Sequence, residues 1–244
     1  MVAFRSSKIW IFMGSDDLFK KRKAQKASAL ERLHIDRVKG PRFLIVCEGQ
    51  KTEPYYFAEL CEYHHLHTPR VRITPGNQGS SPDRIVACAV ELFDEDAQLS
   101  NDHYDKIFCV IDRDKHDTYD SALAQIEKLK AEGKPFEAIT SIPCFEYWLL
   151  LHFVYNRQSF HAAGKKSICE GVIRELRKHP EFNGYGKGQK GIYSLLRDKT
   201  ATAVKHAQKA EKDVEQTQAD NPSTRIHHLV AELQKLAESH GRKR

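Results

Sequence analysis

Two short apolar runs, each stopping on carboxylates, constrain this chain more than any other feature. Phe43-Leu44-Ile45-Val46-Cys47 stops on Glu48-Gly49, and Ile107-Phe108-Cys109-Val110-Ile111 stops on Asp112-Arg113-Asp114. Runs of this length, bounded by polar turns, read as buried strands of a parallel sheet. The carboxyl ends of such strands open on the ligand site. A carboxylate is expensive to enclose without a partner, and acids fixed at two strand ends call for one. A hard divalent cation, Mg²⁺ (or Mn²⁺), is the natural choice. The spacing Asp112-x-Asp114 lets two carboxylates on one turn aim at one cation, and Glu48 adds a further oxygen donor. The chemistry expected is phosphoryl transfer or phosphodiester hydrolysis, in which a metal polarises a phosphoryl oxygen and activates water.

From Arg42 the pattern alternates strand and helix. Strands are expected at Arg42–Cys47, Arg70–Thr74, Lys106–Ile111 and Phe136–Ser141. The helices between them run from Glu53 or Pro54 to His65, over Asp83–Asp96 behind the cap Ser81-Pro82, and over Thr118–Glu132 ahead of Gly133. The segment Cys144–Phe153 is long and Leu-rich, and suits a buried helix. Its aromatics Phe145, Tyr147, Trp148 and Phe153 read as core rather than as a base-stacking surface. After Asn156 the strand signals vanish. Helices are expected at Ser167–His179, Gln189–Arg197, Ala201–Ala219 and Ser223–Glu238, with a glycine-rich loop at Asn183–Gly188. The fold class is therefore α/β: a mostly parallel sheet flanked by helices over 41–156, with a helical C-terminal region over 157–244. Residues 1–40 read as a basic, loosely ordered arm with a short helix over Lys23–Leu33, and Met13 looks like a second natural start.

The formal net charge is +6, with basic clusters at Lys20–Arg42 and Lys165–Lys199. Such clusters favour a polyanionic partner, and nucleic acid is the usual one. No apolar stretch approaches the ~20 residues of a membrane span, so no membrane contact is expected, and the cytoplasm is the default compartment. Six scattered cysteines, none in CxxC spacing, read as small buried hydrophobes in a reducing compartment. Thirteen histidines form no HxxxH pair on an expected helix, and read as surface residues rather than zinc ligands. No GxxxxGK[ST] pattern occurs, so the chain does not look like its own ATPase.

The order strand–Glu-Gly, strand–Asp-x-Asp and a later acid resembles the TOPRIM metal site of topoisomerases, primases and overcoming-lysogenisation-defect nucleases. The resemblance is closer still to the RloB-like family of bacterial phage-defence proteins. It rests on Val46-Cys47-Glu48-Gly49-x-Lys51-Thr52-Glu53-Pro54-x-Tyr56-Phe57, Ile111-Asp112-Arg113-Asp114, and Pro143-Cys144-Phe145-Glu146-x-Trp148-Leu149-Leu150-Leu151-His152-Phe153. Tyr185-Gly186-Lys187 and Asn221-Pro222-Ser223-Thr224 extend it, so that it covers roughly 13–235. The resemblance implies a TOPRIM-like sheet and a cytosolic, Mg²⁺-dependent nuclease active in antiviral defence by abortive infection. It also implies a toxin-like effector encoded beside an ABC-type ATPase (RloA-like) that holds or releases it.

Carried over by residue, the resemblance makes Glu48 an acid/base or metal-bridging carboxylate, and Asp112 and Asp114 metal ligands. Related nucleases carry a Ser-x-x-Glu after the next strand. This chain has the longer Ser141…Glu146, which puts Glu146 in the third acidic position. Lys51, in the turn after Glu48, is placed to contact phosphate and stabilise transition-state charge. Lys187 lies in a loop whose glycines let backbone N–H groups approach an anion. Arg113 could reach substrate phosphate or pair with a neighbouring acid, and Lys190 belongs to the same basic set. RNA, tRNA first, is the expected substrate by analogy, with DNA close behind. Two other readings stay open: a regulatory or binding subunit of an ATPase-containing defence complex with a structural metal, and a primase-like nucleotidyl transferase. A homodimer also stays open.

Overall fold

The structure is a computed structural model that describes residues 40–241 apart from 67–69, 77–80, 100–102, 115–116 and 165. The N-terminal arm up to Lys39, with its expected helix, lies outside the described residues. From Gly40 onward the chain forms one compact unit.

The elements follow in the order β1 (Phe43–Cys47), α1 (Thr52–Tyr63), β2 (Val71–Pro75), α2 (Pro82–Leu99), β3 (Lys106–Asp112), α3 (Tyr119–Ala131) and β4 (Phe136–Ile142). Then come α4 (Glu146–Leu150), α5 (Ile168–Leu176), α6 (Ile192–Leu196), α7 (Thr200–Thr217), β5 (Ser223–Thr224) and α8 (Ile226–Gly241). One five-stranded sheet runs β2-β1-β3-β4-β5. The first four strands are parallel, and β5 pairs antiparallel with β4 through Ser141↔Thr224 and Ile142↔Ser223. The α/β architecture with a helical C-terminal region is as the sequence predicts. β5 is not: its two residues carry no period, and the sequence reads a helix from Ser223, whereas α8 begins at Ile226.

Strand alternation builds two cores. Phe43, Ile45 and Cys47 of β1 and Phe108 and Val110 of β3 face α1, α4 and the C-terminal helices. Leu44, Val46, Ile107, Cys109 and Ile111 face α2 and α3. Continuous burial of β1 on both faces explains why its sequence is apolar throughout. α4 is shorter than the apolar run that contains it, yet Phe145, Tyr147 and Trp148 are all buried, as expected of core residues. The Trp148 indole N–H donates to the Tyr56 hydroxyl at 2.9 Å, which ties α4 to α1.

Two readings need correction. Cys144 and Cys169 are joined by a disulfide, whereas Cys47, Cys61, Cys88 and Cys109 are free and buried. The 25-residue separation hides a pair whose Cα atoms lie 6.0 Å apart, within reach of a bridge. The histidines are not all on the surface either, because His152 and His227 are buried. Among the described residues no helix is long and apolar enough to cross a membrane.

Candidate metal centre

β1 and β3 are neighbours, and their carboxyl ends meet. The Glu48 N–H donates to the Val110 carbonyl at 3.0 Å, which extends the ladder one residue past β1. The Asp112 N–H donates to Glu48 Oε2 at 3.0 Å. Asp112 ends β3 opposite Ser141. By parity with Phe108 and Val110 it belongs to the face that carries α1 and α4. Its Oδ2 accepts the Phe145 N–H at 3.1 Å. Its Oδ1 is sealed from solvent and has no hydrogen-bond partner among the described residues.

α1 and α4 each bring an acid to this face. Glu53 lies in the first turn of α1, and Glu146 is the first residue of α4. Both side chains are buried. Their place at helix N-termini, where backbone N–H groups are exposed, favours negative charge. The Tyr185 hydroxyl donates to Glu146 Oε1 at 3.3 Å, and the Lys187 ammonium lies 3.4 Å from Oε2. The Cys169 sulfur, bonded to Cys144 and without a proton to donate, lies 3.1 Å from the same Oε2.

Two glycines make this packing feasible. A side chain at Gly49 would place its Cβ 1.8 Å from Glu53 Oε2. Gly188, at φ +82°, lets the loop turn back onto α1, where its N–H donates to Thr52 Oγ1 at 2.9 Å. That docking delivers Lys187 to the acids.

The result is a cleft of about 320 Å³ lined by Glu48, Gly49, Gln50, Lys51, Thr52, Glu53, Asp112, Asp114, Glu146, Lys187 and Gly188. Five carboxylates thus face two ammonium groups. Burial, with Asp114 and Glu53 nearby, pushes the Glu48 carboxyl up to about 8 against the Asp112 N–H. Burial and the neighbouring Glu146 push Glu53 up to about 7. Asp112 is held well above the usual carboxylate range by burial and by Glu53, Glu146 and Glu48. Burial works against the Lys187 ammonium, but Glu146, Asp112 and Glu53 outweigh it and raise its pKa.

Protonated acids crowded against one another are what a carboxylate cluster becomes when no cation balances it. The enclosed, unpartnered Asp112 Oδ1 and an all-oxygen donor set fit a hard divalent ion. Glu48, Glu53, Asp112, Asp114 and Glu146 are the residues able to hold it.

Of the residues singled out in the sequence, Glu48, Lys51, Asp112, Asp114, Glu146 and Lys187 line this cleft, and Arg113 and Lys190 do not. Arg113 forms a two-pronged pair with Asp220 and lies over the Tyr119 ring. Lys190 lies over the Tyr55 ring, 5.0 Å from its centroid. Ser141 bonds Thr224 at 3.0 Å and anchors β5. Sequence reasoning assigned no role to Glu53 or Tyr185. Glu53 stands five residues past Glu48, in the first turn of the helix that follows, and that proximity is the signal that could have revealed it. Tyr185 is marked only by the motif Tyr185-Gly186-Lys187, which gives the tyrosine itself no role.

Residues 43–233 match the family model described as RloB-like protein. No curated protein and no solved structure matches the chain. The family match spans well over half of the 244 residues, and the chain belongs to the RloB-like family.

Proposed function

We propose that the chain is a divalent-metal-dependent nuclease of the TOPRIM kind that hydrolyses phosphodiesters of RNA, with tRNA the first candidate, or of DNA. The observation that carries this reading is the convergence of Glu48, Glu53, Asp112, Asp114 and Glu146 at the carboxyl ends of β1 and β3, with Asp112 Oδ1 enclosed and unpartnered. Bound Mg²⁺ or Mn²⁺ would supply Lewis-acid stabilisation of phosphoryl charge and a more acidic water.

The chain's own residues divide the remaining work. Glu48, fixed at the carboxyl end of β1, is suited to bridge the metal or to accept and return a proton. The Asp112 N–H fixes Glu48 through Oε2. Tyr185 orients Glu146 through Oε1. Lys51 and the half-exposed Lys187, at the mouth of the cleft, bind the phosphate and stabilise charge as it develops. Lys190 beside Tyr55 extends the basic surface along α1. In the cell, the reading places this activity in antiviral defence by abortive infection, under the control of an ABC-type ATPase.

The test is cleavage of total tRNA, mRNA and plasmid DNA by the purified chain in Mg²⁺ or Mn²⁺, with and without the neighbouring ATPase. Metal-dependent cutting that is lost in Glu48→Ala and Asp112→Ala is expected. Primer extension without strand cleavage would instead favour a nucleotidyl transferase.

A further inference from the structure

We propose that Glu211, His227 and His228 form a second metal site, suited to a borderline cation of the Zn²⁺ type and separate from the carboxylate cleft. Glu211 lies on α7, and both histidines lie in the first turn of α8. Glu211 Oε2 is 3.3 Å from His227 Nε2 and 3.0 Å from His228 Nε2. The three ligand atoms all fall within 4.8 Å of one another. Donors held about 2.0–2.1 Å from a tetrahedral ion stand roughly 3.3–3.4 Å apart. The two separations are close to the spacing that such an ion would impose.

His227 supplies an independent argument. Its side chain is only 3% exposed, yet among the described residues neither ring nitrogen has a well-aligned hydrogen-bond partner. An enclosed imidazole ordinarily donates through one nitrogen and accepts through the other. Nε2 lies 3.3 Å from Glu211 Oε2, out of line for a good hydrogen bond, and a cation between the two would satisfy both. His228 Nε2 approaches both oxygens of Glu211, at 3.2 and 3.0 Å. Arg225 Nε donates to Oε1 at 3.2 Å, an outer contact that holds the carboxylate with Oε2 toward the imidazoles.

Two imidazoles with one carboxylate suit Zn²⁺, whereas Mg²⁺ prefers an all-oxygen shell, so the two sites would discriminate between cations. Three protein ligands leave a fourth position for water or for a group entering the adjoining cleft, which Glu211 and Arg225 line together with Asp220 and Thr224. A metal here would clamp α7 to the β5–α8 junction, and β5 is the strand that Thr224 ties to Ser141.

The test uses full-length Asp112→Asn protein, to weaken the carboxylate cleft, after chelator treatment and titration with Co²⁺ followed by Zn²⁺. We expect one equivalent of Co²⁺, with the visible absorption of a tetrahedral nitrogen–oxygen site, no thiolate charge-transfer band, and displacement by Zn²⁺. Adding His228→Ala or Glu211→Gln should weaken Co²⁺ binding by about 100-fold or more. His228 is half-exposed, so its removal should leave the fold intact, and circular dichroism of each variant checks this. Absence of Co²⁺ binding, an unchanged affinity in the folded variants, or a thiolate band would each overturn the proposal.

Discussion

The backbone N–H of Asp112 donates to the side chain of Glu48 at 3.0 Å, so the acid that ends β1 is held by the backbone of the acid that ends β3. One strand pairing therefore fixes both carboxyl groups, and no loop motion is needed to bring them together. α1 and α4 then add Glu53 and Glu146 from one face of the sheet. The core assembles the cluster at a cost in electrostatic repulsion that a bound cation would relieve.

Relief of that repulsion gives a direct stability prediction. Asp112→Asn keeps an oxygen for the Phe145 N–H and removes the cost of burying a charge, or of taking up a proton, at the most crowded position. Metal-free variant protein should melt roughly 2–4 °C above wild type. Saturating Mg²⁺ at about 100 times its Kd should raise the wild-type Tm by roughly 5–10 °C and the variant's far less. Differential scanning calorimetry reads both shifts.

The same carboxyls set a pH dependence. Glu48 rises from 4.5 to about 8 and Glu53 from 4.5 to about 7 on folding, so the folded state binds more protons than the unfolded one within those windows. Stability therefore falls as pH rises through them. His152 and His227 oppose this below 6.5, because burial lowers both from 6.5 to about 4 and their contribution grows as pH rises to 6.5. Above 6.5 only the acids remain. Metal-free protein should lose stability between pH 6.5 and 8 in urea titrations, and Mg²⁺ should flatten that slope.

Gly49→Ala tests the packing of Glu53. The added Cβ would meet Glu53 Oε2 at 1.8 Å and must displace that carboxyl from the cleft. A destabilisation of about 1–3 kcal/mol is expected, together with a weaker thermal response to Mg²⁺. An Ala variant with an undiminished Mg²⁺ response would separate Glu53 from the ion.

The two positive side chains named from the sequence should behave differently. Lys187→Ala removes a cleft-lining ammonium beside the buried Glu146, so cleavage should fall by about 100-fold and the metal-free fold should lose about 1–3 kcal/mol. Arg113→Ala breaks a part-exposed pair with Asp220 outside the cleft lining, and should shift stability by less than about 1 kcal/mol while cleavage stays near wild type. Rates and urea midpoints measured on the same preparations distinguish the two.

Glu48 and Asp112 are legible in the sequence because apolar strands end on them, and strand order then makes them neighbours. Glu146 is legible because an acid opens a buried apolar helix. Glu53 is hidden because its burial depends on Gly49 and on how α1 docks. Tyr185 and the Cys144–Cys169 bond depend on where the C-terminal helices pack, which periodicity does not encode. Arg113 is legible in part: strand alternation turns it out of the site and allows an acidic partner, but nothing local names Asp220, distant in sequence, which holds its guanidinium.

The most direct test of the central claim is the rate of tRNA cleavage as a function of Mn²⁺ concentration, for wild type and Asp112→Asn confirmed as folded. The account predicts a rate that saturates in metal for wild type and is lost in the variant. Cleavage without metal, or equal cleavage by both proteins, would contradict it.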